Sequence, residues 1–464
     1  MKQNYILIMC DDLGFGDVGF NGNKIIQTPN LDQMAGEGAV FRNFYAGAPV
    51  CSPTRATCLT GRHCYRMGVF HANEGVLPKE EITIQQLLKQ KGYVTGHFGK
   101  WHLGTLSKTI KDGRRGGSEH PELYAPPWER DFDECFSTEV AVPLYNPYEN
   151  QPFSSKYWMG EELYETENVS GDDSRVIMDR AIPFIEKAHK SGTPFFCVIW
   201  FHAPHTKVVA GPEYRELYKE YPENMQHYFG CITAMDEQVG RLNNKLKELQ
   251  LEDNTCVFFC SDNGPEGNGD TDSTRFCGST GGLRGRKRSL FNGGICVPAF
   301  VKWKKYVQPG NTYDFLASTL DYLPTIIADA GCEMPDNRPI DGIDLKKYLL
   351  NNMNKREKPI PFRFVEKKSS LFGSPTYALV TEDYKILYNP GNYDEECMMF
   401  KTKQDKREEY NIKSVHQEIF DEYREYSMDV AKSFEESHRG MDYPERQEFK
   451  PVNEYISNEQ SWYL

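Results

Sequence analysis

The chain has 464 residues and a net charge of −13, with 39% hydrophobic and 26% charged residues. That length is more than one ordinary core accommodates and points to a soluble globular protein of two or three domains. The acidic balance argues against nucleic acid as the main partner, because phosphate backbones require a basic surface; it leaves room for a small anionic substrate in a locally basic pocket. No apolar run approaches the ~18 residues of a membrane span, and an odd count of 13 cysteines with no C-x-x-C pair is not a disulfide framework.

Residues 4–10 are a short continuous apolar run, which predicts a buried strand. The run is too short for a signal-peptide core and leads straight into Asp11-Asp12. Localisation is therefore open: periplasmic or extracellular if a signal has been removed, cytoplasmic otherwise. Thr28-Pro29 opens a helix, with Thr28 as N-cap and Pro29 at the first helical position. A second helix runs up to Gly61, with Ser52 as N-cap and Pro53 at its first position, placing Cys51 just outside a helix N-terminus. Backbone N–H groups and the dipole there stabilise an anion and would lower a thiol pKa.

Residues 82–91 read as a helix ended by Gly92, and 93–98 as a strand. Helix 172–190, strand 194–201, amphipathic helix 223–249, strand 255–261 and strand 297–303 follow, then a helix over 315–330 despite Pro324. Residues 111–118 and 264–272 read as long polar loops. Buried strands alternating with helices predict an α/β fold with a large, mostly parallel mixed sheet flanked by helices, over residues 1–355. From 356 to 464 the texture changes. Strand-like pieces at 361–365, 376–380 and 384–388 follow one another, then a charged helix at 414–439. This predicts a smaller C-terminal α+β domain with an antiparallel sheet and a helix, joined through a charged, proline-containing boundary.

Ligands of open α/β sheets bind beyond the carboxyl ends of the strands. Four predicted strands end in Asp11-Asp12, Gly99-Lys100-Trp101-His102, His202-Ala-Pro-His205 and Asp262-Asn263. Asp11, Asp12, Asp262 and Asn263 are all oxygen donors and suit a hard cation, Ca²⁺ or Mg²⁺, rather than zinc. Either pair alone reads equally well as a turn or loop start; together, beyond two buried strands, they read as a site. For Cys51 taken alone, a small residue packed at a helix start is the simpler reading.

Cys51-x-Pro53-x-Arg55 followed by Thr60-Gly61 resembles the signature of the type I, formylglycine-dependent sulfatases of the alkaline phosphatase superfamily. Asp11-Asp-Leu-Gly-Phe-Gly-Asp17, Thr28-Pro-Asn-Leu-Asp32, Gly99-Lys-Trp-His-Leu-Gly104, Ala203-Pro-His205, Ser261-Asp-Asn-Gly264 and Leu283-Arg-Gly-Arg-Lys287 resemble further blocks of that family in the same order. The resemblance implies a Cα-formylglycine made from Cys51 by a sulfatase-maturating enzyme, and a cation held by Asp11, Asp12, Asp262, Asn263 and an oxygen of modified Cys51. It further implies that Arg55 and Lys100 hold the formylglycine and sulfate, that His102 bonds the formylglycine hydrate, and that His205 and Lys287 serve the departing ester oxygen. A hydrate suits this chemistry because one hydroxyl attacks sulfur and the second lets sulfate be expelled, where a serine or thiol would stall as a covalent ester. The cation and basic side chains offset charge on the sulfuryl oxygens.

Further substrate contacts are expected from His71, His202, Arg286 and Arg288. Trp128, Tyr145, Tyr148 and Trp158 are candidates for stacking on a sugar, although rings more often pack cores. Segment 283–290 resembles that of arylsulfatase B, an N-acetylgalactosamine-4-sulfatase, which implies a sulfated carbohydrate and tilts the expectation towards a 4-O-sulfate. Departures from the family pattern are Thr206-Lys207 after His205, Asn292 where a glutamate is frequent, and Cys296 in place of a frequent arginine. Two other functions fit the same residues: a phosphate or phosphonate ester hydrolase, and a non-catalytic binder of sulfated glycans with Cys51 left as a thiol.

Overall fold

A computed structural model describes residues 2–454 apart from 150–154, 166, 268–272, 352, 354, 366–371, 391–396 and 446–447. Loop 264–272 and boundary 351–359 thus lie partly outside the described residues. The elements that position the site are β1 (Asn4–Cys10), α1 (Pro29–Glu37), β2 (Ala39–Phe41), α2 (Cys51–Thr60), α3 (Ile84–Gln90) and β3 (Val94–Lys100). They continue with β4 (Glu134–Thr138), β5 (Tyr157–Met159), β6 (Glu162–Tyr164), α4 (Asp173–Lys190), β7 (Phe195–Trp200) and α5 (Glu223–Glu248). Next come β8 (Thr255–Ser261), β9 (Ala299–Lys302), β10 (Asn311–Tyr313) and α6 (Tyr322–Ala330). The C-terminal part holds β11 (Ile360–Arg363), β12 (Tyr377–Val380), β13 (Tyr384–Tyr388), β14 (Met398–Lys401) and α7 (Gln417–His438).

Every residue of β1 is buried, because the strand is covered on both faces. Ile6, Ile8 and Cys10 share a core with Leu31 and Met34 of α1, Val176 of α4 and Ile232 of α5. Tyr5, Leu7 and Met9 point the other way, onto Ala56 and Leu59 of α2, Leu87 of α3 and Ile326 of α6. The two-residue period of a strand thus sorts one apolar run into two helical layers. The sheet has ten strands in the order β10-β2-β9-β8-β1-β7-β3-β4-β5-β6. The five central strands, β8 to β4, are parallel. Towards the edges, β8–β9, β9–β2, β4–β5 and β5–β6 pair antiparallel. The carboxyl ends of β1, β3, β7 and β8 therefore lie along one edge.

A four-stranded antiparallel sheet, β11-β12-β13-β14, follows. One face joins Val50, Leu290, Phe291 and Ile295 through Ile360, Phe362 and Val380. The other packs Leu379, Ile386 and Met399 on Phe420 of α7. Strand β14 had no sequence signal of its own. Helix 315–330 is corrected: Ala317–Ser318 is extended, a 3-10 turn covers Thr319–Asp321 and α6 begins at Tyr322. Pro324 then falls in the first turn, where its missing N–H costs no bond. Among the described residues, no helix is long and apolar enough to cross a membrane.

Candidate active site

The strand ends are tied to one another before any side chain acts. Asp11 N–H donates to the Ala203 carbonyl, Asp262 N–H to Cys10, and Asp12 N–H to the Asp262 carboxylate. Gly99, just before Lys100, has φ +106, and a Cβ there would stand 2.0 Å from the Trp200 carbonyl oxygen. Only glycine lets β3 run this close to β7 and deliver Lys100. Asp12 and His102 sit in the left-handed region, at φ 68 and 59, a conformation that non-glycine residues adopt at a cost and that clusters at sites.

Asp11, Asp262 and Asn263 are fully buried, and Asp12 nearly so. Lys100 Nζ lies 2.5 Å from Asp11, and Lys287 Nζ 2.5 Å from Asp12. Arg55, itself fully buried, places Nη2 2.7 Å from Asp262 and 3.6 Å from Asp11. Its Nη1 donates to the Lys100 carbonyl at 3.0 Å, and its guanidinium lies 5.0 Å from the Trp200 ring centroid. Two ammoniums and a guanidinium thus oppose three carboxylates. Burial would raise the Asp11 carboxyl, but Lys100, His205, Arg55 and Lys287 outweigh it and hold Asp11 well below the usual range. Asp262 goes the other way: burial and the neighbouring Asp11 charge raise it in spite of Arg55.

The donor set fits a hard divalent cation. Asn263 Nδ2 donates to Asp12 and to the Gly264 carbonyl, which turns its Oδ1 inward. That Oδ1 and Asp11 Oδ1 are buried acceptors with no hydrogen-bond partner, a costly state unless a cation takes them. Ligand atoms of Asp11, Cys51 and Asp262 lie within 4.8 Å of one another, as do those of Asp11, Asp12 and His205.

Cys51 corrects the predicted cap. Helix α2 starts at Cys51 itself, with extended Val50 as N-cap, so Pro53 falls at the third position rather than the first and Ser52 caps nothing. Gly61 does end the helix, at φ 66, its N–H reaching the Thr57 carbonyl. The expected fall in thiol pKa is reversed: burial pushes the Cys51 thiol up, against the pull of Lys100 and Lys287. An unmodified Cys51 is therefore a neutral thiol, not a poised thiolate.

Above it opens a cleft of about 270 Å³. The structure brings Cys51, Lys100, His102, His205, Lys287, His71 and Arg288 to its walls. His102 Nε2 lies 2.9 Å from Asn73 Oδ1 and so carries the proton; its buried Nδ1 has no partner. Burial, then Lys100 and Arg115, hold this imidazole well below its usual pKa. His205 Nδ1 donates to the Thr206 carbonyl at 2.9 Å, and burial lowers its pKa to about 4 although Asp11 and Asp12 pull it up. Burial would lower the Lys287 ammonium, but the Asp12 carboxylate beside it outweighs this and raises it.

Other expected contacts are not brought to the cleft. His202 is fully buried, Nδ1 bonded to Asp173 and Nε2 to Thr138, both at 2.7 Å. Arg286 is spent on the carbonyls of Glu266, Phe276 and Gly278. Trp158 is buried and donates to Asp112, and Trp128 donates to Tyr124. These two, Tyr145 and Tyr148 are absent from the cleft walls, where the ring is Phe364, just past β11. Phe364, Asn73, Arg114 and Arg275 also line the cleft and had no motif to flag them. Lys207 is exposed. Where the family pattern carries a glutamate, Asn292 takes its carboxylate from the C-terminal part: Glu408 accepts from the Asn292 N–H at 2.7 Å and pairs with buried Lys385.

A cysteine opening a buried helix, beside an oxygen-rich cation pocket at the carboxyl edge of a mixed sheet, defines an alkaline phosphatase-like hydrolase. Residues 3–332 match the family model described as Sulfatase, and 285–436 the one described as N-sulphoglucosamine sulphohydrolase, C-terminal. Arylsulfatase G of Rattus norvegicus is 33% identical over 386 residues, 75% of this chain and 69% of that protein. N-acetylgalactosamine-6-sulfatase of Sus scrofa is 31% identical over 379 residues, 77% of this chain and 67% of that protein. The crystal structure of Ps i-CgsB superposes with a TM-score of 0.79 at 27% identity, covering 92% of this chain and 93% of that one. The chain belongs to the sulfatase family and is an enzyme that hydrolyses sulfate esters.

Proposed function

We propose that the cleft over Cys51 removes a sulfate ester from a carbohydrate, with the hydrated formylglycine of residue 51 as nucleophile and Ca²⁺ as the cation. The observation that carries this is the pairing of two orphaned buried oxygens, on Asp11 and Asn263, with a helix-start cysteine at the floor of a cationic cleft. The carbohydrate part rests on relatives. Ps i-CgsB has a structure in complex with k-i-k-neocarrahexaose, and other relatives are named for N-acetylgalactosamine 6-sulfate. The 4-O preference expected from segment 283–290 gains nothing from them, so both positions belong in the assay.

Asp11, Asp12, Asp262 and Asn263 would hold the cation, which supplies charge to offset the sulfuryl oxygens. The aldehyde hydrate would supply an attacking oxygen and a second hydroxyl through which sulfate leaves. Lys100, fixed on Asp11, and Arg55, fixed on Asp262, hold those carboxylates in place around residue 51. His102 lines the cleft, and its Nδ1 lone pair, without a hydrogen-bond partner, is suited to take a hydroxyl proton from residue 51. His205, with Nδ1–H given to Thr206, places an unprotonated Nε2 3.8 Å from Asp12 Oδ2. The proton ready for the departing alkoxide therefore sits on Lys287.

The test is mass spectrometry of the Cys51 peptide after co-expression with a maturating enzyme, alongside turnover of sulfated monosaccharides and the matching phosphate esters. We expect aldehyde at residue 51, release of sulfate well above phosphate, and complete loss of turnover in Cys51→Ala with folding retained. Substantial sulfate release by Cys51→Ala would remove the nucleophile assignment; faster phosphate release would favour the phosphoesterase reading.

A further inference from the structure

His71, Ala72, Asn73 and Glu74 line the cleft. They belong to a short loop whose ends, Gly68 and Gly75, lie against each other. Gly75 has φ +72, and a Cβ there would stand 2.2 Å from the Gly68 carbonyl oxygen, so only glycine closes the loop this tightly. The same Gly68 carbonyl accepts from Asn453 Nδ2 at 3.0 Å, in the chain beyond α7. The Gly75 carbonyl accepts from Arg115 Nη1 at 2.5 Å, and Arg115 Nε donates to Glu139 at 2.8 Å. Just past the loop, Leu77 N–H donates to the Leu103 carbonyl at 2.8 Å, next to His102. Backbone bonds therefore set the separation of the loop and the His102 segment before their side chains meet.

Asn73 sits in this loop in the left-handed region, at φ 65, which asparagine tolerates better than most side chains. Its Oδ1 lies 2.9 Å from Nε2 of His102. An amide oxygen offers only lone pairs, so the ring nitrogen facing it carries hydrogen. Burial, then Lys100 and Arg115, hold this imidazole well below its usual pKa, so it has one ring proton to place. Placed on Nε2, that proton leaves Nδ1 as a lone pair, and Nδ1 is buried with no hydrogen-bond partner. Which ring nitrogen of a histidine is protonated is set by the bond that the other one makes. Without an acceptor at Nε2, the oxyanion of a bound sulfate ester would favour the proton on Nδ1. The ring would then lose the lone pair through which it takes a proton from residue 51. A carboxylate in place of Asn73 would select the same tautomer but would repel an anionic ester; a neutral amide selects it without that cost.

We infer that Asn73 is a positioning residue for sulfate ester hydrolysis, fixing His102 in the tautomer whose Nδ1 accepts a proton. Asn73 acts through His102 rather than on the ester. When Nδ1 takes a hydroxyl proton of residue 51, the O–H bond breaks with its electron pair left on oxygen, an N–H bond forms, and the ring becomes an imidazolium. The Nε2–H stays on Asn73 throughout. This rests on the proposed reading of His102 as the group that takes a proton from residue 51.

The experiment compares wild type with Asn73→Gly and Asn73→Asp. Glycine adopts the left-handed backbone without strain and deletes only the side chain; aspartate also tolerates that backbone and restores an acceptor oxygen. In protein with Cys51 left as a thiol, NMR of histidines with isotope-labelled ring nitrogens reports the tautomer, His102 being assigned by its loss in His102→Gln. We expect Nε2–H in wild type and in Asn73→Asp, and Nδ1–H or a mixture in Asn73→Gly. The matured, formylglycine-containing enzymes are then assayed on 4-nitrophenyl sulfate and N-acetylgalactosamine 6-sulfate. Asn73→Gly should lower kcat about tenfold or more, the worth of one buried hydrogen bond left unmade. KM should hold, the pattern of an interaction realised only in the transition state. Asn73→Asp should recover most of kcat, whatever its charge does to KM. Nδ1–H in wild type, a tautomer unchanged by Asn73→Gly, or a kcat unchanged by it each overturn the inference and leave the sulfatase reading intact. So does a kcat as low in Asn73→Asp as in Asn73→Gly, since the loop and not the acceptor would then matter. If matured wild type turns over neither ester, the sulfatase reading falls, while a tautomer that follows residue 73 still upholds its hold on His102.

Discussion

Replacing Arg55 by methionine tests whether the floor of the cleft is an electrostatic lattice. Methionine keeps most of the aliphatic stem but removes a guanidinium that is fully buried. Asp262 loses its 2.7 Å partner and Asp11 its 3.6 Å one, the Lys100 carbonyl loses a donor, and the contact with the Trp200 ring goes. Asp11 keeps Lys100, but Asp262 is left with little beyond the Asp12 N–H. Removing one partner of a buried pair costs about 3–5 kcal/mol, because the other charge stays buried. With a urea slope near ~3 kcal/mol/M, the midpoint should fall by roughly 1–1.7 M. The assay is urea unfolding followed by tryptophan fluorescence, in EDTA and then in excess Ca²⁺. A dication bound among the same oxygens supplies the missing charge, so calcium should close much of the gap. If Arg55→Met unfolds within about 0.5 kcal/mol of wild type in EDTA, the carboxylates do not depend on Arg55 and the lattice argument is wrong.

Three further outcomes follow from the same geometry. His202→Phe removes the partner of buried Asp173 and of Thr138; it should cost about 2–4 kcal/mol of stability while kcat/KM of the folded fraction holds, and a raised KM with unchanged stability would instead put His202 in the substrate cleft. Gly264→Ala would bring a Cβ to 1.8 Å from the Gly293 carbonyl oxygen; overpacking should cost about 1–3 kcal/mol and weaken calcium binding, measured by titration, because Asn263 is displaced. Glu139 is pushed up to about 8 by burial, with the nearby Asp112 adding to the rise and Arg115 opposing it. The folded state therefore keeps a proton that the unfolded chain releases, so stability is full below the unfolded pKa and falls as pH rises towards 8. Glu139→Gln removes that titration, and its unfolding free energy relative to wild type, from urea titrations, should improve between about pH 5 and pH 8, by at most about 1.4 kcal/mol per pH unit; a constant difference would mean that Glu139 ionises normally.

Much of the site was legible as strand ends. Apolar runs at 4–10, 93–98, 194–201 and 255–261 each stop at polar residues, and a mostly parallel sheet must present such ends along one edge. Asp11, Asp12, Lys100, His102, His205, Asp262 and Asn263 could be located this way because each follows shortly on a continuous apolar run. The helix after Cys51 was legible too, but its start was set two residues late. The cap is Val50, whose extended backbone does the capping without a side-chain signal.

His202 and His205 stand three residues apart, and only their neighbours from other elements separate them. Asp173 opening α4 and Thr138 ending β4 claim both nitrogens of His202, whereas His205 turns to the cleft. The meeting of Asn73 with His102 is likewise a matter of folding, since no local period links residues 73 and 102. The thiol of Cys51 makes the same point in energetic terms. Its sequence neighbours predicted a helix N-terminus that favours an anion, and that helix is there. Whether the thiol ionises depends on how much water reaches it. Chain order alone determined which residues end the strands and open the helix; burial and the neighbouring charges, both contributed by residues distant in sequence, decided how each of them ionises.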